Sequence, residues 1–247
     1  MKRYSISGFE VMEYEELSST NTMAEEIPLS ELEDKQVVLT YRQTQGRGQV
    51  GNTWESAPDR NISMTIILRP DRLEAGKQFA ISMVIALGCL DFIQEHTIRS
   101  SVKWPNDVYV GNEKIAGILI EHRIAGAYVQ TSLCGIGVNI NQQKFVSDAP
   151  NPVSLLQLTG KEFPLEQALA GLLQCIGKRY EQVNDYEGLK RDFHENMYRS
   201  EGIYKWEDEN GSFSAAIAGV DDYGQLVLKD TDGQERIYGF KEVKYCT

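Results

Sequence analysis

At 247 residues and 41% hydrophobic content the chain has room for one large domain with a real core and a small second one, which argues against a disordered chain. Its 36 acidic against 25 basic residues leave a formal net charge of −11, which argues against a nucleic-acid backbone as the main partner. No apolar run reads as a membrane span, MKRYSISGFEVMEYEE has no signal-peptide core, and Cys89, Cys134, Cys175 and Cys246 form no C-x-x-C pair, so the expectation is a cytoplasmic protein with reduced thiols.

In chain order, QVVLTYR at 36–42 and NISMTIILRP at 61–70 read as strands; in the second, Ile62, Met64, Ile66 and Leu68 alternate with Asn61, Ser63, Thr65 and Ile67. Residues 75–95 place Phe79, Met83, Leu87 and Leu90 at helical spacing, which predicts a largely buried helix over the sheet. DVYVGNEKIAGILIE at 107–121 predicts a hairpin turning at Gly111-Asn112, and AYVQTSLCGIGVNI at 127–140 another long strand, so the sheet is antiparallel or mixed. From Pro164, LEQALAGLLQCIGKRYEQV and YEGLKRDFHENM predict two helices, the first with Leu165, Leu169, Leu172, Leu173 and Ile176 on one face. After about residue 199, short stretches broken by turns at Asp222-Tyr223-Gly224 and Asp232-Gly233 predict a small barrel of roughly 45 residues. The expected fold class is α+β, a mixed or antiparallel sheet with packed helices over 1–199 and an all-β appendage over 200–247.

Four polar clusters fall at strand ends or loops, where a scaffold displays function: SSTN at 18–21, QTQGRGQVGNTW at 43–54, KWPNDVYV followed by KIAGILIE over 103–121, and GIGVNIN at 135–141. Gly46, Gly48 and Gly51 have the spacing G-x-G-x-x-G, yet residues 52–58 carry no apolar helical face, so no helix N-terminus stands ready for a pyrophosphate. Asn52 after Gly51, in place of lysine, excludes a phosphate loop as well. What remains is a glycine loop carrying Arg47 and a stacking candidate, Trp54. His96, His122 and His194 lack metal-ligand spacing, and no structural zinc is expected.

In KWPND, Pro105 holds Trp104 extended and presents Asn106 and Asp107 in a fixed turn beside Lys103. Lys114 follows on the paired arm, where Gly117 lets another group approach the backbone. Each motif alone has an ordinary meaning, a solvated Lys–Asp turn or a Ser/Thr/Asn helix cap. Together, two lysines, an arginine loop and one carboxylate suit a polyanionic ligand with a divalent metal shared between Asp107 and phosphate oxygens. That set describes ATP meeting a carboxylate substrate, and the chemistry is adenylation: a carboxylate oxygen attacks the α-phosphate and pyrophosphate leaves. The protein supplies positioning and charge neutralisation, and the glycine loop closes as a lid over a water-sensitive acyl adenylate.

STN, GRGQVGNTW, KWPND, KIAGILIE and GIGVNIN, in this order, make the chain resemble the biotin protein ligases over nearly its whole length. The resemblance implies a class II synthetase-like catalytic domain over 1–199, an SH3-like barrel over 200–247, and biotin, ATP and Mg²⁺ as substrates and cofactor. It also implies the reaction: biotin and MgATP give biotinyl-5'-AMP, and a lysine of a biotin carboxyl carrier domain then takes the biotin. By matching positions, Ser19, Thr20, Asn21 and Gln43 resemble the contacts to the ureido ring, with Arg47, Gly48 and Gln49 in the loop over biotin. Trp54, Lys103, Asn106 and Asn139 correspond to the nucleotide side along with Arg47, Asp107 to the Mg²⁺ partner, and Lys114 to the lysine on the biotin carboxyl. Arg47, Lys103, Asp107 and Lys114 form the implied catalytic set.

The chain departs from the family in two places. Many members read G-R-G-R where Gln49 ends G-R-G-Q here, which removes one positive charge near the phosphates. Only 18 residues precede Ser19, too few for a winged helix-turn-helix domain, so the expectation is a monofunctional ligase, monomer or homodimer, with no DNA or membrane partner. A lipoate or octanoate ligase needs an apolar tunnel and a noncatalytic sensor has no use for the full charge set, which leaves both as rivals to be separated by assay.

Overall fold

The computed structural model describes residues 1–49, 52–147 and 149–246. In chain order its elements are β1 (Lys2–Ile6), β2 (Phe9–Tyr14), α1 (Thr20–Glu25), β3 (Gln36–Thr40), β4 (Gly46–Arg47), β5 (Thr53–Trp54), β6 (Ile62–Leu68), α2 (Phe79–Gln94), β7 (Ser100–Lys103), β8 (Asp107–Val110), β9 (Glu113–Ala125) and β10 (Tyr128–Val138). There follow α3 (Leu155–Thr159), α4 (Leu165–Tyr180), α5 (Tyr186–Glu195), β11 (Tyr204–Asp208), β12 (Gly211–Val220), β13 (Leu226–Asp230), β14 (Glu235–Tyr238) and β15 (Lys244–Tyr245).

Eight strands form one sheet in the order β1-β2-β3-β6-β10-β9-β8-β7. β2 and β3 run parallel, joined by a crossover through α1, and the other neighbours pair antiparallel, so the sheet is mixed. Alternation along β6 decides what each face does. Met64, Ile66 and Leu68 join Val37, Leu39 and Cys134 in the main core under α2 and α4. Ile67 turns to the opposite face with Val38 and Leu133 under α1, and Thr65, of the same parity, faces that side too.

α2 is buried on nearly all sides, which explains why 75–94 is apolar enough to pass for a membrane span although it is a core helix. Gly88 lets α4 lie against it: a Cβ there would meet Ile176 Cα at 2.7 Å. Leu169, Leu172, Leu173 and Ile176 fill the seam from α4, as their spacing predicts. The β1–β2 hairpin, absent from the elements expected from sequence, turns on Ser7 and Gly8, both at positive φ.

The C-terminal strands form a separate antiparallel sheet, order β14-β13-β12-β11-β15, around the fully buried Trp206. Among the described residues no ladder joins β14 to β15, so the element seen is a five-stranded sheet. It docks on the larger unit through the expected turn at Gly224, whose positive φ and contact with Phe79 both demand glycine. Trp104 Nε1 donates to Gly224 O at 2.9 Å and the indole packs edge-on to Phe240. The bulky centre of KWPND is thus the seam between the two sheets.

Candidate active site

Two neighbouring backbone segments gather the first two polar clusters. An isolated parallel bridge joins Leu17 to Gln43, and the amides of Thr44 and Gln45 donate to Leu17 O and Ser18 O. Ser19 caps α1, its hydroxyl accepting from Thr22 N, and the Thr20 amide donates to Gln43 Oε1 at 2.9 Å. Asn21 is buried, donating through Nδ2 to Glu121 Oε2 at 3.0 Å and to Leu119 O at 3.4 Å. Its Oδ1 lies 2.6 Å from Thr65 Oγ1, and Thr65 is also 2.9 Å from Thr20 Oγ1; a single hydroxyl proton serves only one of the two. Both amide hydrogens of Asn21 are therefore used, and what it offers a ligand is a remaining oxygen lone pair.

The glycine loop lies across this cluster as a short β4–β5 ribbon pairing Gly46 with Trp54 and Arg47 with Thr53. Gly51, the third glycine of the spacing, lies outside the described residues. The Trp54 indole rests on the Gly117–Gly137 pair of β9 and β10, where absent side chains leave a floor for it. Arg47 is shared between Glu25 (2.9 Å) and Glu121 (3.0 Å), and Gln49 Nε2 donates to Asn106 Oδ1 at 3.2 Å. Burial of Glu25 opposes its ionisation, but the hydrogen bond from Arg47 and the charges of Arg47 and Arg123 outweigh it and hold its carboxyl below the ordinary value.

KWPND forms the turn between β7 and β8, with a cis Trp104–Pro105 bond, and the hairpin pairs Lys103 with Asp107. Lys114 reaches over from β9 to place Nζ 2.7 Å from Asp107 Oδ1. These side chains border two adjoining spaces. One is a small pocket of about 140 Å³ lined by Ser19, Thr20, Asn21, Gln43, Arg47, Gly48, Gln49, Trp54, Asn106, Asp107 and Lys114 together with the apolar Pro105, Ile118, Leu119 and Ile136. The other is an open cleft of about 630 Å³ bordered by Asn139, Tyr109, Phe145 and Pro152. Trp54, Asp107 and Lys114 line both.

Asn139 donates through Nδ2 to Val153 O at 3.1 Å, whereas its buried Oδ1 has no partner among the described residues; neither has the Trp54 Nε1 donor. Each such orphan costs about 1–3 kcal/mol, and both belong to residues that border the open cleft. Lys103 is the candidate that stands apart, lining neither space. Its Nζ lies 4.5, 5.0 and 5.6 Å from the ring centroids of Tyr109, Tyr245 and Tyr198 and 3.3 Å from Tyr109 Oη. Burial in that cage lowers its pKa, with Asp107 opposing.

Several contributors escape the sequence reading. Glu121 ends the KIAGILIE stretch on the same strand face as Gly117 and Leu119, and a charge on that parity is the signal for it. Glu55 accepts from the Val146 and Ser147 amides and Gln142 Nε2, fixing a wall of the cleft. Burial of Glu55 works against ionisation, yet these bonds hold its carboxyl below the ordinary value. Among the described residues no group of three or more His, Cys, Asp or Glu could chelate a metal by itself.

The chain is 28% identical over 241 residues to the bifunctional ligase/repressor BirA of Bacillus subtilis, covering 94% of this chain and 73% of that one. It is 29% identical over 208 residues to the biotin–[acetyl-CoA-carboxylase] ligase of Paracoccus denitrificans, covering 81% and 86%. Among solved structures, the biotin protein ligase of Aquifex aeolicus in complex with biotin and ATP superposes with a TM-score of 0.78 at 22% identity over 96% of this chain and 99% of that one, a likeness of fold. Residues 14–139, which hold all the site residues described above except the Tyr198 and Tyr245 walls of the lysine cage and the 142–153 edge of the cleft, match the biotin/lipoate A/B protein ligase family, and the chain belongs to that family.

Proposed function

We propose that the protein is a biotin protein ligase: it joins biotin to the α-phosphate of ATP, giving biotinyl-5'-AMP and pyrophosphate, and passes biotin to a lysine of a biotin carboxyl carrier domain. The observation that carries this reading is the junction at Trp54, Asp107 and Lys114, which border both the small pocket and the open cleft. An acid whose ring sits between Ser19, Gln43 and Arg47 presents its carboxylate to Lys114, while the nucleotide enters from the Asn139 side. The unpartnered Asn139 Oδ1 suits an exocyclic amine such as that of adenine.

In the first step a carboxylate oxygen of biotin bonds to the α-phosphorus and the bond to the bridging oxygen of pyrophosphate breaks. Lys114, released from Asp107, neutralises the acid, and the freed Asp107 carboxylate would be the residue that holds Mg²⁺. One partly exposed carboxylate suits that ion, which keeps waters and takes one or two carboxylates plus phosphate oxygens; when bound, it screens the charge of the phosphates. Arg47 and Gly48 close over the adenylate and exclude water, and Trp54 and Asn106 border the nucleotide. In the second step the carrier lysine, as free amine, attacks the acyl carbon, its proton is lost, and AMP leaves with its electron pair.

Around this chemistry the reading is of a catalytic unit over 1–199 and a C-terminal unit over 200–247, monomeric or homodimeric, cytoplasmic, and acting on neither DNA nor membrane; the net charge of −11 supports the absence of a DNA role. Lys103 serves from its tyrosine cage as a nearby positive charge. Pyrophosphate release from MgATP that saturates with biotin is the expected result; release that ignores biotin, or none at all, would contradict the proposal.

A further inference from the structure

Glu121 holds two different parts of the site with its two oxygens. Oε1 is 3.0 Å from Arg47 Nη2 on the loop ribbon, and Oε2 is 3.0 Å from Asn21 Nδ2 on α1. Glu25 offers a natural contrast: it binds the same arginine at 2.9 Å, and no hydrogen bond joins it to Asn21 among the described residues. The Asn21 amide is fixed by its surroundings, because reversing it would turn the oxygen toward Leu119 O and the Glu121 carboxylate, all acceptors. A Cβ at Gly135 would meet the Asn21 amide, so the amide lies directly against the bare backbone of the strand below.

We infer that Glu121 is a positioning residue that couples closure of the Arg47 loop to recognition of the acid's ring, by latching the arginine and orienting Asn21 with one carboxylate. This deepens the biotin-ligase reading and rests on it. The latch is suited to opening: the side chains of Arg47, Glu25 and Glu121 are 40%, 38% and 37% exposed, and ion pairs of that exposure change an equilibrium about five-fold or less. Glu25 latches without orienting, so the two carboxylates separate the two functions.

The test compares wild type with Glu121→Gln and Glu25→Gln in three measurements: trypsin cleavage after Arg47 in the ligand-free protein, loss of preformed adenylate from the enzyme, and the KM for biotin and for ATP in pyrophosphate release. A glutamine at 121 turns its amide toward either Arg47 or the Asn21 amide and loses at least one contact. Glu121→Gln is expected to speed both cleavage and adenylate loss about three- to five-fold and to raise the biotin KM about five-fold, with the ATP KM within about two-fold of wild type. Glu25→Gln is expected to speed cleavage and adenylate loss to a similar extent but to raise the biotin KM no more than about two-fold, because it loosens Arg47 and leaves Asn21 in place. Equal biotin KM values in the two variants, or a cleavage rate indifferent to Glu121, would overturn the coupling while wild type remains active. A wild type that releases no pyrophosphate with biotin would instead remove the functional reading, and the coupling with it.

Discussion

Gly137→Ala tests whether Trp54 needs its glycine floor. A Cβ at that position would stand 2.3 Å from Trp54 Cε2, 2.4 Å from Nε1 and 2.7 Å from Cζ2. Carbon atoms rest at about 3.5–4.0 Å, so the indole must withdraw by roughly 1 Å or more. The sheet will not give way: Gly137 pairs with Gly117 on one side and Ser63 on the other, whereas Trp54 rides on a two-residue ribbon strand. Overpacking costs about 1–3 kcal/mol in a closed core; a ribbon that can lift puts this site near 1 kcal/mol, about 2–4 °C in Tm at this chain length. A misplacement of about 1 Å can reduce turnover by about 10²-fold. Biotin-dependent pyrophosphate release and a thermal melt, with Gly76→Ala as a control where a Cβ meets nothing within 4 Å, separate the two effects. The expected outcome is an activity loss near 10²-fold with a small Tm shift. Wild-type turnover in Gly137→Ala would refute the claim that Trp54 in this position borders the reacting groups.

Lys114→Ala removes the cation at the junction and leaves Asp107 without its 2.7 Å partner; pyrophosphate release should fall by about 10²–10³-fold, with about 1 kcal/mol lost from a partly exposed pair, and an unchanged rate would take Lys114 out of the chemistry. Gln49→Arg restores the missing charge beside Asn106 and should slow adenylate escape in a rapid-quench assay, an idea that unchanged escape would defeat. Burial lowers the pKa of His122 from 6.5 to about 4, so between those values the unfolded chain binds a proton that the folded chain refuses. The stabilisation is full above about 6.5 and is lost as pH falls toward 4; for a partly exposed ring it is worth about 1–2 kcal/mol. The Tm drop from pH 7.5 to 4.5 should therefore be several degrees smaller in His122→Gln than in wild type, and equal drops would show that this histidine does not carry it.

Much of the site was legible because each motif keeps its partners close in sequence or in strand register. The alternation in 61–68 told which residues face the core, and Thr65, on the other parity, meets Asn21 as that pattern requires. The hairpin read at Gly111-Asn112 brings Lys114 back to Asp107. The four lining groups from 19–21 and 43 depended on a parallel crossover through α1, which no local pattern announces. Lys103 belonged to KWPND by its letters, yet its ammonium is held by Tyr198 and Tyr245, contributed by chain that follows α5 and by the last strand. Charge–aromatic contacts between segments this distant leave no periodic trace. Glu121 was visible only as a charge on a strand face otherwise carrying glycine and leucine, and its two partners lie on other elements. The amino-terminal hairpin is short and its burial is uneven, so its alternation is weak against the turn residues that bound it.

The central claim is that the pocket takes biotin and that the adenylate is handed to a carrier lysine. Intact-mass analysis of a biotin carboxyl carrier domain incubated with the protein, MgATP and biotin, lipoate or octanoate in separate reactions tests it most directly. The expected result is a mass gain equal to one biotinyl group with biotin alone, reached about 10²–10³-fold more slowly with Lys114→Ala. A gain with lipoate or octanoate and none with biotin would contradict it.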